Sequence, residues 1–313
     1  MVPHIIILAA GIGKRMKSKK IKVLHELMGK PIIEWVINLA KSLSPESITL
    51  VYGKDGEVLK GIFKGINYAF QEKPTGTGAA VSIALKTFKE CKGDVIVLSG
   101  DTPLLMKESL IRLLEYHKKQ NNDATIMTFF PEDPKGYGRI IRKGEEIIQI
   151  IEEKDATPTQ KEIREVNGGI YVFSIPKLKE ALKFLTPNNA QGEYYLTDVI
   201  SLIKEAGGKV GGVIIENSWE LKGINTRRDL AEVTDILRRK KIEALQEEGV
   251  TIIMPDTVFI EPEVMVGKDT IIYPNVVLRG KSIIGSNCIL EPFVYLVDKE
   301  IPSGTIVKSG ERI

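Results

Sequence analysis

Residues 8–16, Leu8-Ala9-Ala10-Gly11-Ile12-Gly13-Lys14-Arg15-Met16, concentrate the means of holding a phosphate. They follow an apolar run at residues 4–8 that reads as a buried strand. Two glycines and two cations fall where that strand must turn. Small residues let the backbone approach a ligand closely. Free N–H groups in such a turn form an anion-binding concavity, and Lys14 and Arg15 add charge for phosphates. The pattern points to a nucleoside triphosphate at the C-terminal end of the first strand of an α/β sheet. It falls short of two stronger fingerprints: Met16 stands where a dinucleotide-binding loop has its third glycine, and no G-x-x-x-x-G-K-[ST] occurs. A glycine turn that binds nothing fits these residues as well.

Asp101 is the leading metal-ligand candidate. It follows the apolar run 95–98, at a strand's C-terminal end, where α/β active sites form. A carboxylate suits Mg2+, which keeps several waters and takes few protein ligands. A turn residue, or a helix N-cap ahead of Ser109, is the alternative. The three histidines, His4, His25 and His117, show no metal-ligand spacing, which argues against a zinc site. Cys91 and Cys288 form no C-x-x-C and read as reduced, semi-buried thiols of a cytosolic protein.

The chain has 313 residues, which suggests about two domains. Its net charge of +3 is too small to argue for a nucleic-acid or membrane partner. No apolar stretch is long enough to cross a bilayer. The N-terminus enters a strand without a signal-peptide pattern, so a cytoplasmic protein is expected.

The elements that must position these residues alternate over residues 1–225. Strands are predicted at 5–8, 48–52, 67–70, 95–98, 124–130, 169–173 and 210–215. Helices are predicted at 32–42, 79–88, 109–120, 177–185 and 197–206. This order argues for a mostly parallel, covered sheet. Residues 139–142 and 147–152 read as a hairpin laid over it. Residues 226–249 form a connecting helical arm, opened by a capping-box-like Thr226 and Asp229, with Leu230, Val233, Leu237 and Ala244 near one face and Gly249 at its end. Beyond it the period changes. Ile260, Val266, Ile272, Leu278, Ile284, Leu290 and Leu296 recur every six residues. Val264, Thr270, Val276, Ser282, Cys288 and Val294 follow in step, mostly small. A strict hexad repeat marks a parallel β-helix over residues 250–313, of about two coils and a fraction. The phase is lost at Asp298, and the tail is expected to cap the open end. So short a stack leaves exposed faces, and a homotrimer through the β-helix is expected.

Together the motifs resemble those of bacterial N-acetylglucosamine-1-phosphate uridylyltransferases, where this activity forms the N-terminal half of a bifunctional enzyme. The resemblance rests on L-A-A-G-x-G-x-R-M, K-V-L-H at 22–25, G-K-P at 29–31, Q-x-x-x-x-G-T-G at 71–78, and G-D-x-P-L at 100–104. It continues through G-Y-G-R at 136–139, E-x-K-D-A at 152–156, V-N-G-G at 166–169, N-A-Q-G-E-Y-Y-L-T-D at 189–198 and G-I-N at 223–225. It implies a Rossmann-like, mostly parallel nucleotidyltransferase sheet, then the long helix and a short left-handed β-helix. It also implies Mg2+-dependent transfer of uridylyl from UTP to a sugar 1-phosphate. The attacking phosphate is already ionised at neutral pH, so charge neutralisation and positioning replace a general base.

On this resemblance Asp101 and Asn225 hold the metal, and Arg15 and Lys22 clamp phosphates. Leu8, Ala9, Ala10, Gly11, Gln71, Gly76 and Thr77 bind the nucleotide, Gln71 through the uracil edge. Ser99, Gly100, Gly138, Glu152 and Asn167 bind the sugar. Tyr137, Tyr194 and Tyr195 wall the pocket or simply pack, and Glu193 has no assigned role. Two positions depart from the family: Ala79 stands where histidine is common and Gly168 where threonine is common, both near the sugar pocket. A β-helix this short is expected to carry no acetyltransferase activity. The alternatives are a related transferase, using glucose 1-phosphate with UTP or dTTP, and a non-catalytic regulatory subunit.

Overall fold

The computed structural model describes residues 2–11, 13–88 and 92–312. Cys91 and Ile12 lie outside them. The chain forms two compact units, Met1–His25 with Ile32–Asn225, and Glu26–Pro31 with Thr226–Ile313.

The elements run, in chain order, β1 (His4–Ala9), β2 (Glu26–Leu27), β3 (Lys30–Pro31), α1 (Ile32–Ser42), β4 (Ser47–Tyr52), α2 (Leu59–Ile62), β5 (Asn67–Phe70) and α3 (Thr77–Leu85). There follow β6 (Asp94–Ser99), α4 (Lys107–Gln120), β7 (Ala124–Phe129), β8 (Arg139–Lys143), β9 (Glu146–Ile151), α5 (Pro158–Lys161) and β10 (Val166–Ser174). The first unit closes with α6 (Ile175–Leu182), α7 (Asp198–Glu205) and β11 (Val210–Ile215).

The main sheet has the order β11-β7-β10-β6-β1-β4-β5. β1 lies parallel to β4 and β6, β4 to β5, and β11 to β7. Ile5, Ile6 and Ile7 are fully buried, as expected of a strand covered on both faces. β10 is the exception to the parallel expectation, running antiparallel to both β6 and β7. Apolar content cannot reveal this, because a buried strand reads the same in either direction. The expected hairpin forms from β8 and β9, and Val166 of β10 pairs with Arg139.

The main segment of the second unit opens with α8 (Arg227–Glu247), whose capping box is the reciprocal bonding of Thr226 and Asp229. Its buried face is Val233, Ile242 and Leu245. Ala244, placed on that face by the sequence, is exposed, and Gly249 takes φ +93 beyond the helix end. Among the described residues, ten short strands follow in parallel sheets of four, three and three. All seven hexad aliphatics and their six small partners are buried. Phe259, Val277 and Tyr295 stack in register at the expected spacing of three hexads.

The C-terminal end corrects the sequence reading. The phase slips by one residue, so that Ile283 pairs with Glu300 and Ile289 with Ile306. The tail therefore extends the β-helix rather than capping it, giving three coils and the first strand of a fourth. Asp298 absorbs the slip at φ +53 and accepts from the Lys281 N–H at 2.8 Å. Cys288 is a buried free thiol, its Sγ 3.2 Å from the Pro302 carbonyl. The β2–β3 hairpin also belongs to this unit. Arg279 reaches Glu26 at 2.6 Å, and Lys30 pairs with Glu263.

Candidate active site

The direction of strand addition reverses at β1. The chain steps outward through β4 and β5, then returns to place β6 on the other side of β1. Open α/β sheets bind ligands outside the strand C-termini at such a point. A cleft of about 420 Å³ lies there. Leu8, Ala9, Ala10 and Gly11 line it from the end of β1, and Ser99 and Asp101 from the end of β6. Gln71, Gly76 and Thr77 close a third side, with Lys22. Gly100 packs behind: its N–H donates to the Leu8 carbonyl at 2.9 Å, and a Cβ there would stand 2.7 Å from Ile33.

Lys22 is the centre of the charged part. Its ammonium donates to Asp101 Oδ2 and, at 3.2 Å, to Asn225 Oδ1. One cation is thus held by two hard oxygens, one from just past β6 and one from the irregular segment at residues 222–225. The Ile224 N–H donates to the Asp101 carbonyl at 2.9 Å, which ties the two segments by the backbone. Asp101 does not cap α4. Met106 precedes that helix, and the buried Glu220 carboxylate accepts from Met106 N and from Ser109 Oγ, the latter at 2.6 Å. Asp101 is left for the cleft, and its donor chemistry, with the Asn225 oxygen, fits Mg2+.

Lys14 also lines the cleft, whereas Arg15 is exposed and stands outside its lining among the described residues. Adjacent residues of the short 3-10 turn at Lys14–Met16 point in different directions. Residue types alone could not choose between the two cations. Glu193, to which the sequence assigned no role, is a lining residue.

Gln71 is buried at the end of β5, and its Nε2 donates to the Gly76 carbonyl at 3.2 Å. Gly76 has φ +116, and a Cβ would stand 2.4 Å from the Tyr194 carbonyl. The 76–78 and 194–196 segments are zipped together. Gly78 N–H donates to Tyr194 O at 2.8 Å, and Leu196 N–H to Thr77 Oγ1 at 2.9 Å. The tyrosines pack rather than line the cleft. Tyr194 acts through its backbone, Tyr137 meets Phe129 edge-on at 5.1 Å, and the Tyr195 hydroxyl accepts from Gln191 at 2.8 Å.

Gly138, Glu152 and Asn167 lie outside the cleft lining but form their own group. The Asn167 N–H donates to the Gly138 carbonyl at 2.9 Å, and a Cβ on Gly138 would stand 3.5 Å from the Ile151 carbonyl. The Glu152 carboxylate accepts from the Thr197 hydroxyl at 3.0 Å. Burial pushes this carboxyl above the usual carboxylate range, and the charges of Asp198, Asp155 and Glu193 push it the same way. Gly168 faces away from this group. A Cβ there would meet Leu221 at 2.8 Å and the Met127 carbonyl at 2.9 Å, so the departure from threonine is a matter of packing.

Residues 4–235 match the Nucleotidyl transferase family. The chain belongs to that family. Residues 263–297 also match the bacterial transferase hexapeptide (six repeats) family. The chain is 45% identical over 304 residues to the Bifunctional protein GlmU of Thermoanaerobacter pseudethanolicus, covering 96% of this chain and 66% of the relative. It is 44% identical to the protein of that name from Caldanaerobacter subterraneus subsp. tengcongensis, covering 96% and 65%. For that of Acetivibrio thermocellus the figures are 45%, 97% and 67%. The chain spans about two thirds of the length of these relatives. In this nucleotidyl transferase, no described helix is long and apolar enough to cross a membrane.

Proposed function

We propose that the chain transfers uridylyl from UTP to N-acetylglucosamine 1-phosphate, releasing pyrophosphate and forming UDP-N-acetylglucosamine. The observation that carries this reading is the convergence of Asp101 and Asn225 on one cation, at a cleft framed by the glycine loop after β1. The family and the similarity to GlmU proteins support it.

In this reading a sugar-phosphate oxygen attacks the α-phosphorus of UTP. A P–O bond forms, the bridge to the β-phosphorus breaks, and the electron pair leaves on pyrophosphate. Asp101 and Asn225 would hold Mg2+, which neutralises phosphate charge when bound. Lys22 then gives its ammonium to the reacting phosphates, with Lys14 beside it. Gln71, its Nε2 committed to Gly76, keeps Oε1 to accept from the uracil N3–H. Gly138, Glu152 and Asn167 receive the sugar. UTP is an intracellular metabolite, which supports a cytoplasmic setting for this activity.

The β-helix supports self-association into a homotrimer. Met265 and Ile283 stack in register on one of its sheets, 58% and 39% exposed. Sedimentation checks this, and a stable monomer at micromolar concentration counts against it.

The activity is tested by pyrophosphate release with UTP, Mg2+ and N-acetylglucosamine 1-phosphate, beside glucose 1-phosphate and dTTP. Full turnover with all divalent ions chelated, or a preference for glucose 1-phosphate, overturns the reading.

A further inference from the structure

The sugar side contains a hydroxyl to which the reading above gives no task. β10 is interrupted opposite β7: Asn167 pairs with Thr128 and Tyr171 with Ile126, so four steps on one strand face two on the other. Such a bulge re-aims side chains. Gly169 turns within it at φ +72. The bulge brings Asn167 and Tyr171 together, and Asn167 Nδ2 donates to the Tyr171 hydroxyl at 2.7 Å. At the other end of the same amide, Asn167 Oδ1 accepts from Gly169 N–H at 3.0 Å.

Both ends of the Asn167 amide are therefore anchored. A planar amide held at carbonyl and amino group cannot flip, and one N–H and one oxygen lone pair remain for a ligand. The anchor at the amino end is rigid. Tyr171 is 4% exposed, its ring stacks on Phe173 at 5.5 Å, and its backbone pairs with Val97 of β6 and Ile126 of β7. Burial, chiefly, and the nearby charge of Glu152 keep the phenol protonated. The hydroxyl is thus a neutral, immobile acceptor.

We propose that Tyr171 is a positioning residue for the sugar 1-phosphate: its hydroxyl fixes the orientation of the Asn167 amide, and so the donor and acceptor that this amide presents to the sugar. The inference rests on the proposed function for the identity of the sugar, but the anchoring of the amide does not.

Tyr171→Phe removes one oxygen and keeps the ring stack. The KM for N-acetylglucosamine 1-phosphate is expected to rise about tenfold, the worth of one neutral hydrogen bond. The kcat and the KM for UTP stay within twofold, a split that a general loss of packing does not produce. Side-chain amide signals of 15N-asparagine-labelled chain give an independent reading. In the parent the Asn167 amide proton that is bonded to Tyr171 exchanges slowly, and in Tyr171→Phe it exchanges at the rate of a free amide. Unchanged exchange in the variant, or an unchanged sugar-phosphate KM in an active enzyme, overturns the proposal. A parent chain that releases no pyrophosphate with any sugar 1-phosphate overturns the functional reading instead, and the exchange experiment then decides the role of Tyr171 alone.

Discussion

Gly13 and Lys22 are in direct contact: a Cβ built on Gly13 would stand 2.7 Å from Lys22 Cβ. The second glycine of the phosphate loop therefore seats the lysine that bridges Asp101 and Asn225. Gly13 also takes φ +65, where an L side chain adds about 1–2 kcal/mol of strain. The clashing atom is the root of the lysine side chain, which cannot swing aside without moving its backbone. Gly13→Ala is expected to lower turnover about a hundredfold through misplacement of Lys22. Pyrophosphate release measures the loss. Full activity in a folded Gly13→Ala chain would separate the loop from the lysine.

Asp101 is the charged member of the proposed metal pair. Asp101→Ala leaves the Asn225 oxygen alone, with no anion to attract a divalent ion. Turnover should fall about a thousandfold or more, the scale of losing one electrostatic element of a transition state. The variant should also stop binding Mn2+, read by water-proton relaxation without any turnover. Melting temperature should move by only a few degrees. Near-normal rates would remove Asp101 from the site.

Gln71 is proposed to tell uracil from cytosine, because only uracil carries a hydrogen on N3. Gln71→Ala should weaken UTP binding about tenfold and narrow the preference for UTP over CTP. Competition between the two nucleotides in one reaction measures that ratio directly. An unchanged ratio would refute the assignment.

What the sequence makes legible follows from how strongly each feature is repeated. The hexads need an aliphatic at every corner of the coil, so seven in phase leave little freedom of interpretation. The slip at Asp298 is a single event, and one residue carries no period; the continuation of the coils into Ile301 and Val307 was hidden by it. Asp101 is legible because an apolar run ends just before it. Asn225 acquires meaning only when the backbone bond from Ile224 brings it beside Asp101, a pairing across more than a hundred residues. The direction of β10, the β2–β3 hairpin and the exposure of Arg15 also depend on tertiary packing. The same holds for Tyr171, whose aromatic ring reads as core and whose hydroxyl gains a partner through the bulge.

Glu152 sets stability against function. Its folded-state pKa lies above the ordinary value of 4.5, through burial first and then the neighbouring carboxylates Asp198, Asp155 and Glu193. In the window above 4.5 the folded chain holds more protons than the unfolded chain, so stability falls as pH rises through it. The penalty is present in full once the pH lies above the folded-state pKa. Glu152→Gln keeps an acceptor for the Thr197 hydroxyl and removes the charge. It should melt higher than the parent at pH 7, with the difference closing as the pH falls towards 4.5. If Glu152 accepts a sugar hydroxyl, the same variant should bind N-acetylglucosamine 1-phosphate more weakly, because a neutral acceptor makes a weaker hydrogen bond than a carboxylate. Melting curves at the two pH values check the first half, and sugar-phosphate KM at pH 7 the second. Equal melting temperatures at pH 7 would show that the carboxyl is not penalised by its surroundings, and its retention would then need no functional reason.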